Sequence, residues 1–191
     1  RVTVVGHDWG AALSWLLASA FAPDRVDRLA VLAAGHPEAI RNAGPRQRQL
    51  AWYVLLFQFE GVAERWLTMD GWANFREFCG GPDGYADLEA AIAELARPGA
   101  LTASLEWYRA NMPPETLVAP PLGLPPVQCP TLGLWGTNDL ALVEEQMADS
   151  AAYVRGPWRY ERLDGCGHWP QLEAPDRINT LLLEFIRPQT G

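Results

Sequence analysis

A chain of 191 residues, 49% of them hydrophobic, is long enough to bury one core together with an inserted lid. Its formal net charge of −8 argues against a nucleic-acid backbone as partner, and no apolar run reaches the length that spans a bilayer. Cys79, Cys129 and Cys166 are odd in number and scattered, so they form neither a disulfide framework nor a metal spacing, and they favour a reducing compartment, the cytoplasm.

The chain opens on Val2-Thr3-Val4-Val5, a β-branched run that predicts a strand, and passes directly into Gly6-His7-Asp8-Trp9-Gly10. A helix follows at once. Gly-x-Asp-x-Gly between strand and helix is the nucleophile-elbow pattern, whose central residue sits in a strained turn at the sheet tip. Gly6 and Gly10 are expected because larger side chains would collide where strand and helix cross. Leu13, Leu16, Leu17 and Ala20 form one apolar helical stripe, and Ala22-Pro23 ends it. Asp27 to Leu32 reads as a short buried strand, so the first segment predicts a right-handed parallel crossover. The chain starts inside a strand without an initiator Met, and is expected to be the C-terminal part of a longer fold whose N-terminal strands are missing.

The pattern changes near His36-Pro37. From there to about Leu124 the periods are helical and no strand is convincing. Gln49 to Phe57 predicts a helix carrying Tyr53. Leu88, Ala91, Ile92 and Leu95 form a stripe that Pro98-Gly99 stops, and Leu101, Leu105, Tyr108 and Met112 form another. Trp52, Phe57, Phe59, Trp66, Trp72, Phe75 and Phe78 crowd this stretch. Three Pro-Pro pairs at 113–114, 120–121 and 125–126 mark a stiff return linker. Thr131 to Trp135 is a buried strand followed by Gly136-Thr137-Asn138-Asp139. Arg159 to Leu163 is a further strand, followed by Gly165-Cys166-Gly167-His168-Trp169. Pro175 suits the first position of a last helix with Ile178, Leu181, Leu182 and Phe185 on its core face. The expected fold is α/β: parallel strands with flanking helices at residues 1–37 and 125–191, interrupted by an all-helical lid at 38–124.

Asp8, Asp139 and His168 each stand just after a predicted strand, in the order nucleophile, acid, histidine, which is the chain order of the α/β-hydrolase triad. Parallel strands deliver their C-terminal ends to one sheet edge, so the three can converge. An aspartate nucleophile is already an anion at neutral pH. It suits displacement at saturated carbon, giving an alkyl ester that water then hydrolyses. His168 is the expected base for that water, and Asp139 the group that orients its ring. Taken singly, Asp8 reads equally as a helix cap, Asp139 as a turn residue and His168 as a loop histidine bonded to backbone.

Gly-His-Asp-Trp-Gly, the helical insertion and Asp164-Gly-Cys-Gly-His-Trp-Pro-Gln171 together resemble the epoxide hydrolases of the α/β-hydrolase superfamily. Trp52 to Glu64 resembles the segment that carries the first lid tyrosine of soluble epoxide hydrolases, and Glu106-Trp107-Tyr108-Arg109 the segment that carries the second. The resemblance implies that Asp8 attacks an epoxide carbon while Tyr53 and Tyr108 protonate the oxygen. A phenol with a pKa of about 10 can donate at neutral pH to the developing alkoxide. The Trp9 N–H is the implied oxyanion donor. The family's other donor lies in a His-Gly-x-Pro motif, which this sequence does not contain. Trp9, Trp52, Phe57 and Trp169 are the expected substrate contacts. The implied partners are a small apolar epoxide and water, with no cofactor, metal, nucleic acid or membrane span. The triad motifs are shared with haloalkane dehalogenases, which present N–H donors such as a tryptophan to a halide, so that alternative stays open. So does a non-catalytic hydrolase-fold protein that binds a ligand.

Overall fold

The structure, a computed structural model, describes residues 1–79 and 87–187. Residues 80–86 of the expected lid and 188–191 of the expected last segment lie outside the described residues. Four strands form one parallel sheet in sequence order: β1 (Val2–His7), β2 (Val26–Leu32), β3 (Thr131–Gly136) and β4 (Trp158–Leu163). The register aligns His7 with Leu32, Leu32 with Leu134 and Gly136 with Leu163, so all four C-terminal ends reach one edge. β3 is buried at all six positions, as a parallel strand covered on both faces should be.

One face of the sheet packs Ala30, Leu32, Leu132, Leu134 and Leu163 against Ile178, with Leu181, Leu182 and Phe185 of helix Pro175–Ile186 beside them. Ile178 is 2% exposed, and truncating it to alanine would cost about 2–5 kcal/mol. The helix after the elbow, Trp9–Leu16, does not bury the face predicted for it. Ala11, Ser14 and Trp15 are buried, whereas Leu13 is half exposed. Small residues let this helix come close to β1, where a Cβ on Gly6 would lie 2.5 Å from Ser14 Oγ; the fully buried Trp15 ring packs against His36 and Trp158 and donates to the Ala34 carbonyl (3.3 Å). A π-helical turn at Leu17–Phe21 then ends the helix.

The chain divides into two compact units. Arg1–Leu50 groups with the residues from Pro121 onward, and Ala51–Pro120 forms the second unit. Residues 38 to 50, expected with the lid, therefore belong with the sheet. Two buried polar side chains account for this. Glu38 accepts the backbone N–H groups of Leu122 and Gly123. Gln47 donates to the Ala141 carbonyl (2.8 Å) and accepts from the Val143 N–H (3.0 Å).

Within Ala51–Pro120 the described residues form helices and no strand: Trp52–Phe57, Val62–Cys79, Leu88–Leu95 and Ala100–Asn111. The long helix Val62–Cys79 is broken at Met69–Trp72, where the backbone leaves helical geometry. Phe57, Ala63, Leu67 and Leu105 make the core of this unit. Arg109 ties three segments together through the Phe57 carbonyl (2.8 Å), Glu64 (2.9 Å) and Glu106 (2.7 Å).

Candidate active site

Asp8 follows β1 with φ 50° and ψ −117°, a backbone conformation that an L-residue with a side chain rarely adopts. Such strain costs about 1–3 kcal/mol and is kept where the surroundings enforce it. Here Gly6 is part of that enforcement. A Cβ at Gly6 would lie 2.3 Å from the Gly10 carbonyl oxygen and 2.5 Å from Ser14 Oγ. Gly10 differs from expectation, because a Cβ there would meet nothing within 4 Å. The steric demand at the crossing falls on the strand side alone. Asp8 stands at the N-cap position without a side-chain capping bond.

The turn after β3 carries Asp139. Its Oδ1 accepts the backbone N–H groups of Ala141 (2.8 Å) and Leu142 (2.9 Å), so it is a turn residue as well as the partner of His168. His168 Nδ1 lies 2.9 Å from Asp139 Oδ2 and 3.1 Å from Oδ1. The other ring nitrogen, Nε2, lies 3.4 Å from Asp8 Oδ1. Asp8, His168 and Asp139 thus form one line at the C-terminal edge of the sheet. The Asp139 side chain is wholly buried and that of Asp8 about one-third exposed, so the line opens toward solvent at the nucleophile end.

Cross-ties hold the two loops together. The Asn138 N–H donates to the Cys166 carbonyl (2.8 Å), and the Gly165 N–H to Thr137 Oγ1 (2.9 Å). Gly136 permits this approach, since a Cβ there would lie 2.4 Å from the carbonyl oxygens of Cys166 and Gly167.

The charges follow from this geometry. Burial alone would raise the Asp8 carboxyl, but the hydrogen bond to His168, the charge of that ring and the Trp9 backbone N–H outweigh it and hold the group below its ordinary value. Burial alone would lower His168, but hydrogen bonds and charges from Asp139 and Asp8 raise it to about 10. At neutral pH the resting site therefore holds an ionised Asp8 beside a protonated His168. An ionised carboxylate is a nucleophile toward saturated carbon, and a histidine oriented by a second carboxylate can take a proton from water once it is neutral.

The other expected residues divide between the two units. The Trp169 ring meets the His168 ring edge-on at 4.9 Å, and the Trp9 N–H bonds the Asp8 carboxylate. In the helical unit the Tyr53 and Tyr108 rings lie 6.0 Å apart, near perpendicular. Phe57 packs edge-on against Tyr108 (5.1 Å) and is a core residue of that unit, 5% exposed. Trp52 packs edge-on against Trp66 and Phe78.

Three residues escaped the sequence reading. His7 Nε2 donates to the His168 carbonyl (2.8 Å). The Glu173 carboxylate accepts the N–H groups of Gly167 and Trp169, on either side of His168. His36, fully buried, accepts the Glu38 N–H (3.2 Å) at Nδ1 and stacks on Tyr153. The available signal for His7 was its place inside the elbow motif.

A strained aspartate elbow after β1, an acid after β3 and a histidine after β4, all at one edge of a parallel sheet, are the arrangement of an α/β-hydrolase. The model of the alpha/beta hydrolase family matches residues 1–181, and the chain belongs to that family. Its relatives within the family include epoxide hydrolases. Epoxide hydrolase 3 of Xenopus tropicalis is 29% identical over 200 residues, covering 98% of this chain and 53% of that protein. Epoxide hydrolase A of Mycobacterium tuberculosis is 30% identical, covering 97% of this chain and 69% of that protein. The Bacillus megaterium epoxide hydrolase, solved in complex with an inhibitor, superposes with a TM-score of 0.81 at 25% identity, over 97% of this chain and 69% of that one. The chain thus spans from about half to about two thirds of the length of these relatives.

Proposed function

We propose that this chain carries the catalytic residues of an epoxide hydrolase that opens an apolar epoxide to a vicinal diol through an ester on Asp8. The observation that carries the reading is the line from Asp8 through His168 to Asp139, with an ionised aspartate at the elbow tip. In the first step Asp8 attacks an epoxide carbon and the C–O bond to that carbon breaks. Tyr53 and Tyr108 are the proposed proton and hydrogen-bond donors to the leaving oxygen, on the strength of the segments that carry them. The product is a hydroxyalkyl ester of Asp8.

Ester formation removes the negative charge of Asp8, one of the two carboxylates that hold the proton on His168. His168 then loses that proton to solvent, the tyrosine that protonated the leaving oxygen takes one back from solvent, and the neutral ring can act as base. Oriented by Asp139, it activates water to attack the ester carbonyl. The Trp9 N–H, which already bonds the Asp8 carboxylate, is the proposed donor to the oxyanion. On collapse the leaving diol oxygen takes the proton of the added hydroxyl, Asp8 returns as a carboxylate, and His168 keeps the proton it took from water, as in the resting site. Trp9 and Trp169 are the proposed apolar contacts to substrate, with Trp52 a further candidate.

The test is intact mass and diol analysis after mixing the full chain with an aryl epoxide. Asp8→Asn should abolish diol. His168→Gln should form the ester and fail to hydrolyse it, so one substrate mass accumulates on Asp8. An unmodified His168→Gln protein beside a wild type that turns over would refute the mechanism. Halide release from a chloroalkane, unaffected by Tyr53→Phe and Tyr108→Phe, would decide for a dehalogenase.

A further inference from the structure

His168 lies in an irregular loop between β4 and the short helix Pro170–Glu173, so no regular hydrogen-bond ladder fixes its backbone. Side chains do this instead. Glu173 accepts the N–H groups of Gly167 and Trp169. The carbonyl of His168 itself accepts from His7, at 2.8 Å across 161 residues of sequence. His7 is the last residue of β1 and the neighbour of Asp8, so it is fixed to the elbow. We infer that His7 is a positioning residue for His168: its Nε2–H ties the histidine loop to the elbow and so sets the distance between base and nucleophile. The inference rests on the catalytic reading of that site, and it adds a residue outside the triad.

The acceptor is a carbonyl, so Nε2 must carry the hydrogen. The two imidazole rings are 5.2 Å apart. A second positive charge at that distance would oppose the charge on His168. Burial, the largest effect on His7, pushes it below the ordinary histidine range and keeps its ring neutral. A neutral Nε2–H ring satisfies both demands. Lysine and arginine would donate but carry charge, and a phenylalanine would fill the space but donate nothing.

The test compares His7→Phe with His7→Gln, whose side-chain amide nitrogen can stand near the position of Nε2. In wild type, nitrogen NMR of the full chain should show the His7 ring as the Nε2–H form between pH 6 and 8. His7→Phe should shift the His168 Nδ1–H resonance, and His7→Gln should restore it. With an aryl epoxide, ester hydrolysis in His7→Phe should slow by roughly ten- to a hundredfold, the scale of a misplaced catalytic group. Ester formation should change far less, because His168 acts in the second step. A ring found as Nδ1–H, an unmoved His168 signal in His7→Phe, or a Gln variant as slow as the Phe variant would each overturn the inference. If His7→Phe fails to fold, the wild-type tautomer and the Gln variant still decide it. The NMR arms need no substrate, so an inactive wild type would strike the catalytic reading and leave them to decide the role of His7.

Discussion

Replacing Asp8 by asparagine should lower the pH at which His168 loses its proton. Asparagine keeps the shape of the side chain and an oxygen that accepts from Nε2, but it carries no charge. In that respect it stands in for the proposed ester. The His168–Asp8 separation is 3.4 Å. At that distance a charge pair is worth about 1 kcal/mol with the screening of bulk water and about 5 kcal/mol at a surface-like effective dielectric of ~20. The midpoint of His168 should therefore fall by about one to three and a half pH units from its wild-type value. The assay is an NMR titration of the His168 ring in wild type and Asp8→Asn, with matched thermal unfolding as the check on folding. Stability gives a second readout with a definite sign. His168 is raised from 6.5 to about 10, so its contribution is full below about 6.5 and is lost as pH rises through about 10. Asp8→Asn should flatten that alkaline limb. An unmoved midpoint would refute the reasoning, because Asp8 would then not govern the charge of the base.

Three further perturbations test the framework around the site. Gly6→Ala should destabilise by about 3 kcal/mol or prevent folding, since the new methyl meets the Gly10 carbonyl, whereas Gly10→Ala should cost under about 1 kcal/mol in the same denaturant titration. His36 is fully buried and lowered by burial to about 4, so its neutral form stabilises the fold above about 6.5 and that contribution is lost as pH falls toward 4. The loss between pH 8 and 4 should be about 3 kcal/mol, and His36→Phe should lack that slope in urea titrations. Arg109→Met should destabilise the helical unit by about 3 kcal/mol, read as earlier loss of hydrogen-exchange protection in Ala100–Asn111, because Glu64 and the Phe57 carbonyl lose their partner.

What the sequence revealed depended on where the forces were local. Strand β3 and the last helix were legible because apolar runs and a helical stripe report burial directly, as Leu132, Leu134 and Ile178 show. Asp8 and His168 were legible because glycines and a strand end frame each of them. The helix after the elbow was misread because, apart from Trp15, its buried face is made of small residues. Ala11 and Ser14 carry little hydrophobic signal, and close approach to β1 selected them over Leu13. The boundary of the helical insertion was misread for a similar reason. Glu38 and Gln47 look like surface residues, and their partners at Leu122, Gly123, Ala141 and Val143 are far away in sequence. His7 was hidden the same way, as a single side chain bonded to a carbonyl 161 residues away.

The identity of residue 8 and the charge of His168 belong to one design. A serine at the elbow needs a base before it can attack, so its histidine must start neutral. An aspartate needs none, and its own charge, together with that of Asp139, keeps the histidine protonated while the site rests. In the proposed reaction the order of events then follows from electrostatics. Water cannot be activated before substrate has reacted, because no base exists. Once the ester forms, the charge of Asp8 is gone, and the pair Asp139–His168, 2.9 Å apart, remains as a single carboxylate orienting a ring that can now lose its proton. The same logic explains why a neutral His7 beside that ring matters. A cation there would pull His168 toward the neutral form early, and the coupling between the two steps would weaken. The nucleophile, the base and the residue that sets their separation therefore act as one charge balance at the ends of β1 and β4.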